Sequence, residues 1–517
     1  MGKLYLGIEF GSTRIKGCLI DEKYNVVSTG GYQWENKFEN GYWTYSLDEI
    51  HKGLKECFAD LKKNTEEKTG KPLTQVTSMG ISGMMHGFLA FDKDGNLLTE
   101  FRTWRNTTCA QASKELTEAF GFNVPQRWSI AHLYQAILNN EPYVEKIAYI
   151  TTLSGYIHYL LTGKREMGIG EASGMFPIKD NDYDADMLSQ FRELTKGKLT
   201  SDIYDILPKV KVAGQQGTLL SDEGAKLLDV TGTFKAGIPV CAPEGDAGTG
   251  MVATNAVLRS TGNVSAGTSV FAMLVLNKPL SRVYPEIDVV TTPDGSPVAM
   301  VHCNNCCGEL DAWVNVFEEF ALLAGLKLSK GDIYGMLYKN TENAKADCGD
   351  ITAYNYLSGE HITGIEQGSP MYFRKGSGKL TLADFMKAQL YSAISSLSIG
   401  MEILFEKENA KADKFLAHGG LFKVEGVAQQ ILSDALSTPV SVMETAGEGG
   451  AWGMALLAAY MDDKQNLSLG DWLEAKVFAN MNTLTKHPAD EGVKGFKEYI
   501  KRYKAGLKAE KSLEEVF

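Results

Sequence analysis

Residues 9–16 group side chains that could hold an anion. They read Glu-Phe-Gly-Ser-Thr-Arg-Ile-Lys, a turn of small residues flanked by one acid and two bases. Gly11 lets the backbone approach an anion closely, while Ser12 and Thr13 offer hydroxyl and amide groups. Lys16 adds positive charge, and Glu9 could hold Mg²⁺ directly or through water. The turn therefore predicts phosphate binding, and an ordinary β-hairpin is the alternative.

A second candidate is Asp246, which stands in the sequence Pro-Glu-Gly-Asp-Ala-Gly-Thr-Gly at 243–250. The apolar run at 238–242 predicts a strand before it, and residues 248–256 predict the beginning of a helix. Ligands of α/β proteins commonly bind where strands end. We expect Asp246 to take a proton from a hydroxyl nucleophile there. A helix N-cap is the alternative.

Two further segments combine glycine with a histidine. Residues 82–87, Ser-Gly-Met-Met-His-Gly, follow a run at 76–81 that predicts a buried strand. His86 could hydrogen-bond a polar ligand there, or it could be a structural loop residue. His418 precedes two glycines after another apolar run, and a helix rich in small residues begins at Glu448. These glycines permit close helix packing or contact with a flat ring, and composition favours packing.

The cysteine-rich segment 302–307 reads His-Cys-Asn-Asn-Cys-Cys. A single Cys-x-x-Cys without a second pair is weak evidence for zinc, and the surrounding sequence does not resemble a thioredoxin-like redox motif. Ordinary buried thiols are the interpretation we favour for Cys303, Cys306 and Cys307.

The elements that must position these residues occur twice. Strand, turn and strand are predicted at 4–8, 11–13 and 15–20, and the same pattern recurs at 263–266, 267–269 and 270–276. A helix is predicted at 47–63, with Ser46 as its N-cap. Strands mixed with helices predict an α/β fold. The repetition suggests two similar halves, with domains at 1–255 and 256–517.

Composition excludes several classes of function. The 517 residues include 52 basic and 64 acidic ones, for a net charge of −12. Binding to nucleic acid or an anionic membrane needs a positive field, so we expect neither partner. No apolar run approaches the ~20 residues of a membrane span, and no secretory signal is apparent. The eight cysteines form no dense framework, so we expect a cytoplasmic enzyme with reduced thiols. The Walker A loop, the Gly-x-Gly-x-x-Gly fingerprint and the His-Glu-x-x-His pair are all missing from the sequence.

In their order along the chain, these motifs resemble the FGGY family of carbohydrate kinases, within the actin-like sugar kinase superfamily. The likeness covers residues 4–20, 80–87, 238–257, 262–271 and 415–457. Asp246 falls where the family places its catalytic base. The resemblance also implies cofactor-binding positions, namely Gly11, Ser12, Thr13 and Lys16 in the first phosphate motif, Gly267 and Thr268 in the second, and Gly419 and Gly420 in the adenosine region, followed by residues 448–455.

The resemblance implies an architecture and a reaction. Two ribonuclease-H-like domains would surround a central cleft, with sugar bound mainly by the N-terminal domain and ATP by the C-terminal one. The γ-phosphoryl group of ATP would pass to a hydroxyl of a ketose, with Mg²⁺ held by Glu9 and Asp246. The partners would be a small-molecule sugar and ATP, and a homodimer is one candidate assembly. The expected substrate-binding residues are Met85, His86, Gly87, Trp104, Arg105 and Asp246.

The sub-family signals are mixed. The Ser-Gly-x-Met-His-Gly sequence resembles xylulokinases, whereas the spacing after Gly420 resembles ribulokinases. Relatives often carry Trp-x-Asp-x-Arg where this chain has Asn106 and Thr108, and Glu9 replaces an Asp. We expect a xylulose kinase. A ribulokinase, another FGGY polyol or sugar kinase, a non-catalytic sugar- and nucleotide-binding sensor, and an actin-like ATPase are the alternatives.

Overall fold

The chain forms two compact units in a computed structural model that describes residues 2–443, 449–479, 481 and 483–516. The first unit contains the described residues of Met1–Val257, Asp288–Val298 and Gly447–Asn480, and the second those of Leu258–Ile287, Ala299–Ala446 and Met481–Phe517. Each unit has its own hydrophobic core. The predicted domains at 1–255 and 256–517 stay a prediction. The compact units differ from them because residues 288–298 and 449–479 pack with the first unit.

The strands are numbered in chain order. They are β1 (Leu4–Phe10), β2 (Arg14–Asp21), β3 (Val26–Gln33), β4 (Lys37–Glu39), β5 (Tyr42–Thr44), β6 (Ser78–Gly83), β7 (Leu89–Phe91), β8 (Tyr149–Thr151), β9 (Glu166–Gly168), β10 (Ile178–Lys179), β11 (Asp182–Tyr183), β12 (Lys209–Lys211), β13 (Thr218–Leu219), β14 (Pro239–Val240), β15 (Glu244–Gly245), β16 (Thr261–Ala266), β17 (Val270–Val275), β18 (Asp288–Thr291), β19 (Pro297–Cys303), β20 (Ile351–Tyr354), β21 (Met371–Arg374), β22 (Lys414–His418), β23 (Val440–Met443) and β24 (Thr483–Lys486).

The α-helices are numbered in the same way. They are α1 (Leu47–Thr69), α2 (Ala110–Phe120), α3 (Ser129–Leu138), α4 (Leu153–Thr162), α5 (Ile169–Ala172), α6 (Ala185–Leu194), α7 (Ile203–Ile206), α8 (Asp222–Leu228), α9 (Asp246–Ala253), α10 (Gly308–Leu323), α11 (Lys330–Asn340), α12 (Leu382–Glu402), α13 (Val427–Leu436), α14 (Gly449–Asp463), α15 (Leu469–Trp472) and α16 (Asp490–Leu513). Among the described residues, no helix combines the length and apolar composition needed to cross a membrane.

The sheet of the first unit runs in the order β13-β14-β6-β1-β2-β3, and β15 also pairs with β6. β1 is antiparallel to β2 and parallel to β6. Helices α1 and α14 pack on this sheet. A Cβ on Gly7 of β1 would meet α14, and one on Gly17 of β2 would meet α1. Because Gly17 lies opposite Ile8, the neighbour of Gly7, these two glycines point to opposite faces, and one helix covers each face.

Helix α1 shows why the sequence pattern folds as predicted. The Ser46 hydroxyl accepts a hydrogen bond from the main-chain N–H of Glu49, which makes Ser46 the N-cap. Ile50, Leu54 and Phe58 recur at helical spacing and are buried. The helix continues past the predicted residue 63 to Thr69, where Gly70 in the left-handed conformation ends it.

The sheet of the second unit repeats the strand–turn–strand pattern. Its own strands follow the order β19-β17-β16-β22-β23-β24. β16 is antiparallel to β17 and parallel to β22, as β1 is to β2 and β6. The predicted repetition of this supersecondary structure is therefore confirmed.

The chain around Asp246 differs from the sequence-based prediction. The strand expected at 238–242 is shorter, at Pro239–Val240, and a second short strand, β15, follows it. Helix α9 begins at Asp246 itself, two residues earlier than predicted, and Gly245 is its N-cap. The N-cap interpretation of Asp246 is wrong, because Asp246 is the first residue within the helix.

Candidate active site

The first predicted phosphate turn connects β1 to β2. The N–H of Gly11 donates to the carbonyl of Arg14, 3.1 Å away, which closes the turn. Trp34 Nε1 donates to the Gly11 carbonyl at 2.7 Å, and the Tyr45 hydroxyl donates to the Ser12 carbonyl at 2.5 Å. With their carbonyls held from one side, the turn residues have a fixed backbone. In the described part of the chain, no acceptor for the main-chain N–H groups of Ser12 and Thr13 is found.

Glu9 and Lys16 are directly opposite each other on β1 and β2. Desolvation raises the pKa of Glu9 to about 7, the nearby Asp246 adds to the rise, and Lys16 and the N–H of Ala451 oppose it. The first turn of α14 leaves no room for a side chain here. A Cβ on Gly450 would lie 2.5 Å from Glu9 Oε1.

Asp246 is held by a main-chain donor. The N–H of Met85 donates to Asp246 Oδ1 at 3.1 Å. Desolvation raises the pKa of Asp246, while the N–H groups of Met85 and Ala247 lower it. This carboxyl is therefore fixed in direction, and it takes up a proton more readily than an exposed aspartate.

The Met85-His86-Gly87 loop is in a strained conformation. His86 has φ 71°, a value that non-glycine residues adopt rarely. The His86 ring nitrogen Nδ1 lies 3.3 Å from the carbonyl of Gly174. Because a carbonyl only accepts, Nδ1 is the protonated nitrogen in this contact. The Trp128 ring stacks on the imidazole at 6.3 Å between centroids.

Trp104 and Arg105 lie beside the first turn and the β4–β5 hairpin. Trp104 Nε1 donates to the Ser12 hydroxyl at 3.3 Å, and the Arg105 guanidinium lies 3.8 Å from the centre of the Trp43 ring. Asn106 has a structural role. Its side chain accepts from the N–H of Trp43 and donates to the Trp43 carbonyl, both at 2.9 Å.

The second predicted phosphate turn belongs to the second unit. The carbonyls of Gly267 and Thr268 accept from the N–H groups of Cys307 and Cys306, both at 2.9 Å. Gly419, with φ 110°, follows β22, and a Cβ there would be 2.2 Å from the carbonyl of Ala266. Only glycine fits this approach of β22 to β16. Gly420 comes next in the chain. The four predicted cofactor-binding residues of this unit, Gly267, Thr268, Gly419 and Gly420, therefore all follow the carboxyl ends of the neighbouring parallel strands β16 and β22.

The cysteines of segment 302–307 support this turn. Cys303, Cys306 and Cys307 are buried free thiols, which confirms the prediction of buried thiols. Their loop is fixed from the other side by Glu360, whose carboxylate accepts the N–H of Asn304 at 2.9 Å.

Helix α14 packs with the first unit. A Cβ on Gly453 would lie 2.0 Å from the carbonyl of Thr249 in α9. Close helix packing, which composition favoured, is therefore confirmed for Gly453, whereas a Cβ on Gly420 would have no atom within 4 Å. Glu448, the predicted beginning of the helix, lies outside the described residues.

Three residues beside the Asp246 site were not predicted from the sequence. They are the buried glutamates Glu171 and Glu244 and the arginine Arg127. Glu244 accepts the N–H groups of Gly170 and Glu171 at 3.4 and 2.9 Å. Arg127 accepts the N–H of Gly87 on its carbonyl at 3.1 Å, and its guanidinium forms an ion pair with Asp288. No local spacing connects these residues, because they come from segments far apart in the chain. One sequence feature could have indicated the two glutamates: each stands in a Gly-rich segment, Glu171 in 168–174 and Glu244 in 243–250.

Two family models match this chain. Residues 4–253 match the N-terminal domain of the FGGY family of carbohydrate kinases, and residues 262–461 match the C-terminal domain. Together they span most of the chain. The protein belongs to the FGGY family of carbohydrate kinases. It is accordingly a sugar kinase, a phosphotransferase for which the family implies ATP as the phosphoryl donor.

Individual relatives agree with this assignment. A xylulose kinase of Haemophilus influenzae is 22% identical over 97% of this chain and 98% of its own length. The crystal structure of a xylulose kinase from Rhodospirillum rubrum superposes with a TM-score of 0.79, at 17% identity and 99% coverage of both chains. A gluconate kinase structure from Lactobacillus acidophilus gives 0.77, with the same identity and coverage. These structures confirm the two-domain α/β fold of FGGY kinases.

Proposed function

We propose that this FGGY kinase transfers the γ-phosphoryl group of ATP to a hydroxyl of a ketose, with xylulose as the first candidate. The observation that carries the proposal is the hydrogen bond between Asp246 and the N–H of Met85, next to His86. This hydrogen bond places Asp246, which could accept the proton of a hydroxyl, next to the loop of His86, which could bind a polar ligand. The full-length relative named xylulose kinase supports this choice of sugar.

On this proposal, His86 orients the sugar. Its imidazole hydrogen-bonds a sugar hydroxyl, and the contact of Nδ1 with the Gly174 carbonyl sets the direction of the ring. Trp104 and Arg105 contribute further contacts near Ser12. Arg127 is an additional candidate, since its carbonyl already holds Gly87.

Asp246 then acts as the general base. Its carboxylate orients the attacking hydroxyl and takes its proton as the bond to phosphorus forms. A desolvated carboxylate with a raised pKa is a stronger base than an exposed one. The N–H of Met85 keeps Oδ1 in place.

Each unit, taken by itself, offers turn residues for phosphate groups on this proposal. In the first unit, the N–H groups of Ser12 and Thr13 and the ammonium of Lys16 are the donors. In the second unit, Gly267, Thr268, Gly419 and Gly420 present backbone to the nucleotide. Local donors of this kind suit an acidic protein with a net charge of −12.

The carboxylates of Glu9 and Asp246 fit Mg²⁺. They are hard oxygen donors, and Asp246 raises the pKa of Glu9 while Lys16 lowers it. The described residues contain no cluster of three or more acidic, histidine or cysteine side chains placed for a metal. Mg²⁺ commonly takes one or two carboxylates and fills its remaining positions with water and phosphate oxygens. When bound, it would neutralise charge on the phosphates.

A sugar panel tests the proposal. The purified protein is incubated with ATP, Mg²⁺ and, one at a time, pentuloses, hexuloses, polyols and aldonates, and ADP release and the phosphorylated product are measured. We expect xylulose to give the highest kcat/KM. A higher value for ribulose or gluconate would overturn the choice of sugar while keeping the kinase. ATP and sugar binding without product would favour the sensor.

A further inference from the structure

The carboxyl group of Glu244 packs against Gly168 and Gly170, where a larger residue would not fit. Its side chain is 2% exposed. A Cβ on Gly168 would lie 2.1 Å from Glu244 Oε1, and one on Gly170 would lie 2.5 Å from Oε2. The two oxygens accept the N–H groups of Gly170 and Glu171 at the beginning of α5. The glutamate therefore fixes the segment 168–174 to β15.

Three hydrogen bonds connect the ends of three chain segments into a closed circuit. Glu244, two residues before Asp246, holds segment 168–174. That segment presents the Gly174 carbonyl to His86 Nδ1. The loop containing His86 donates its Met85 N–H back to Asp246. Each of the three contacts limits the freedom of the other two, because all three segments are buried and short.

The side chain of Glu171 packs inside the same circuit. It is fully buried, and a Cβ on Gly245 would lie 2.3 Å from its Oε2 and 2.9 Å from Met85 Cγ. The segment 168–174 thus packs against Gly245, which precedes Asp246. A Cβ on Gly174 would lie 2.9 Å from Met85 Cε, so the segment also packs against the residue that precedes His86. A shift of this segment would displace both.

We propose that Glu244 is a positioning residue of the sugar site, which sets the direction of the His86 imidazole relative to Asp246 through segment 168–174. It touches neither sugar nor phosphate. Its kinetic consequence rests on the proposed function, since it assumes that His86 binds the sugar. Its structural consequence, the orientation of His86 in the free protein, does not.

Two variants probe the circuit from opposite sides. Glu244→Gln keeps one oxygen acceptor but turns an amide NH₂ toward the second main-chain N–H. Gly170→Ala keeps the glutamate but places a methyl group against Oε2. We expect each to lower kcat/KM for the sugar about tenfold or more, as is typical for residues that support a site. The KM for ATP should change less than twofold. The double variant should be no worse than the more damaging single one, because both changes break the same contact.

Asp229 supplies the matched control. It is a buried carboxylate of the same unit that accepts the N–H groups of Thr231, Thr233 and Phe234 and pairs with Lys62. Asp229→Asn should lower Tm. It should not raise the KM for the sugar relative to the KM for ATP. A loss of stability alone therefore cannot imitate the expected result for Glu244→Gln.

The orientation of His86 is measured directly by ¹⁵N spectra of histidine-labelled protein. The chain has eight histidines, and the His86 signals are assigned by their loss in His86→Gln. We expect Glu244→Gln and Gly170→Ala to shift the His86 Nδ1 resonance, and Asp229→Asn to leave it in place. An unchanged His86 resonance in both variants would overturn the proposal.

The kinetic and spectroscopic results separate two kinds of failure. If the unaltered protein phosphorylates no sugar, the proposed function fails, and the His86 resonance alone decides the role of Glu244. If a sugar is phosphorylated and Glu244→Gln alters both KM values equally, the positioning role is overturned while the proposed function stands.

Discussion

At the scale of single residues, Asp246 and His86 are each held by the main chain of another segment. Asp246 Oδ1 receives the N–H of Met85, and His86 Nδ1 faces the Gly174 carbonyl. The positive φ of His86 is a local strain, of a kind that clusters at functional sites. A pair of polar side chains fixed in this way needs little reorganisation when a ligand binds.

Glu166 provides a residue-scale prediction about pH. The nearby His158 imidazole, followed by Thr218 and Lys211, lowers the pKa of Glu166 to about 2 from its usual 4.5. Because the pKa is lower in the folded protein, this carboxylate stabilises it above about pH 4.5, and the contribution is lost as the pH falls toward 2. We expect Glu166→Gln to cost about 1 kcal/mol at pH 7, reduced from the full shift by solvent screening.

Thermal unfolding at two pH values checks this prediction. The variant should have a Tm about 1–2 °C lower than the unaltered protein at pH 7. The difference should shrink at pH 3. An equal difference at both pH values would show that the Glu166 charge does not contribute.

The candidate residues were partly predictable from sequence. Asp246, His86 and the first turn stand in short runs of glycine and small polar residues, where a ligand-binding turn leaves a local signature. Glu244 and Arg127 lack such a signature, because their partners lie 74 and 40 residues away in the chain. Burial of a glutamate against two glycines becomes visible only when the segments are brought together.

At the scale of elements, glycines decide how closely helices approach the first sheet. Gly7 of β1 packs against α14, and its missing side chain lets the helix backbone come within contact distance. The sequence predicted β1 and β2 well, since both are apolar runs between turn residues. It did not predict that α14 covers them, because more than 400 residues separate the two elements.

Gly7→Ala gives the element-scale prediction. Its Cβ would lie 2.1 Å from the Ala451 carbonyl and 2.5 Å from the Ala455 nitrogen. Backbone atoms cannot rotate away, so we expect a loss of about 3 kcal/mol or more in the free energy of unfolding. Denaturant titration measures it.

Gly17→Ala is the matched control on the neighbouring strand. Its Cβ would meet the Leu61 side chain at 3.4 Å, an ordinary contact distance. We expect a change within about 1 kcal/mol. Equal losses for the two variants would contradict the account of α14 packing.

At the scale of the whole molecule, the first compact unit is not continuous in sequence. Residues 288–298 and 449–479 return to it between segments of the second unit. Eleven residues of α14, from Gly450 to Tyr460, are buried there. Composition and motif order predicted the family and the repeated architecture. Neither reveals that α14 packs on the sheet of the first unit.

A fragment of residues 1–257 tests this organisation. Without α14 one face of the sheet around Gly7 and Gly80 would be exposed, so we expect no cooperative unfolding transition. Joining residues 447–480 through a long flexible linker should restore the transition. A fragment of 1–257 that unfolds cooperatively near the Tm of the full chain would contradict the discontinuous unit.

On the proposed function, Asp246 is the base of a sugar-dependent phosphoryl transfer. Asp246→Asn keeps an oxygen for the N–H of Met85 but cannot take the proton. Sugar-dependent ADP release by this variant, with ATP binding followed by calorimetry, is the most direct measurement. We predict a kcat about 10²–10⁴-fold lower, with ATP affinity within about threefold. Turnover within about tenfold of the unaltered enzyme would contradict the assignment of Asp246.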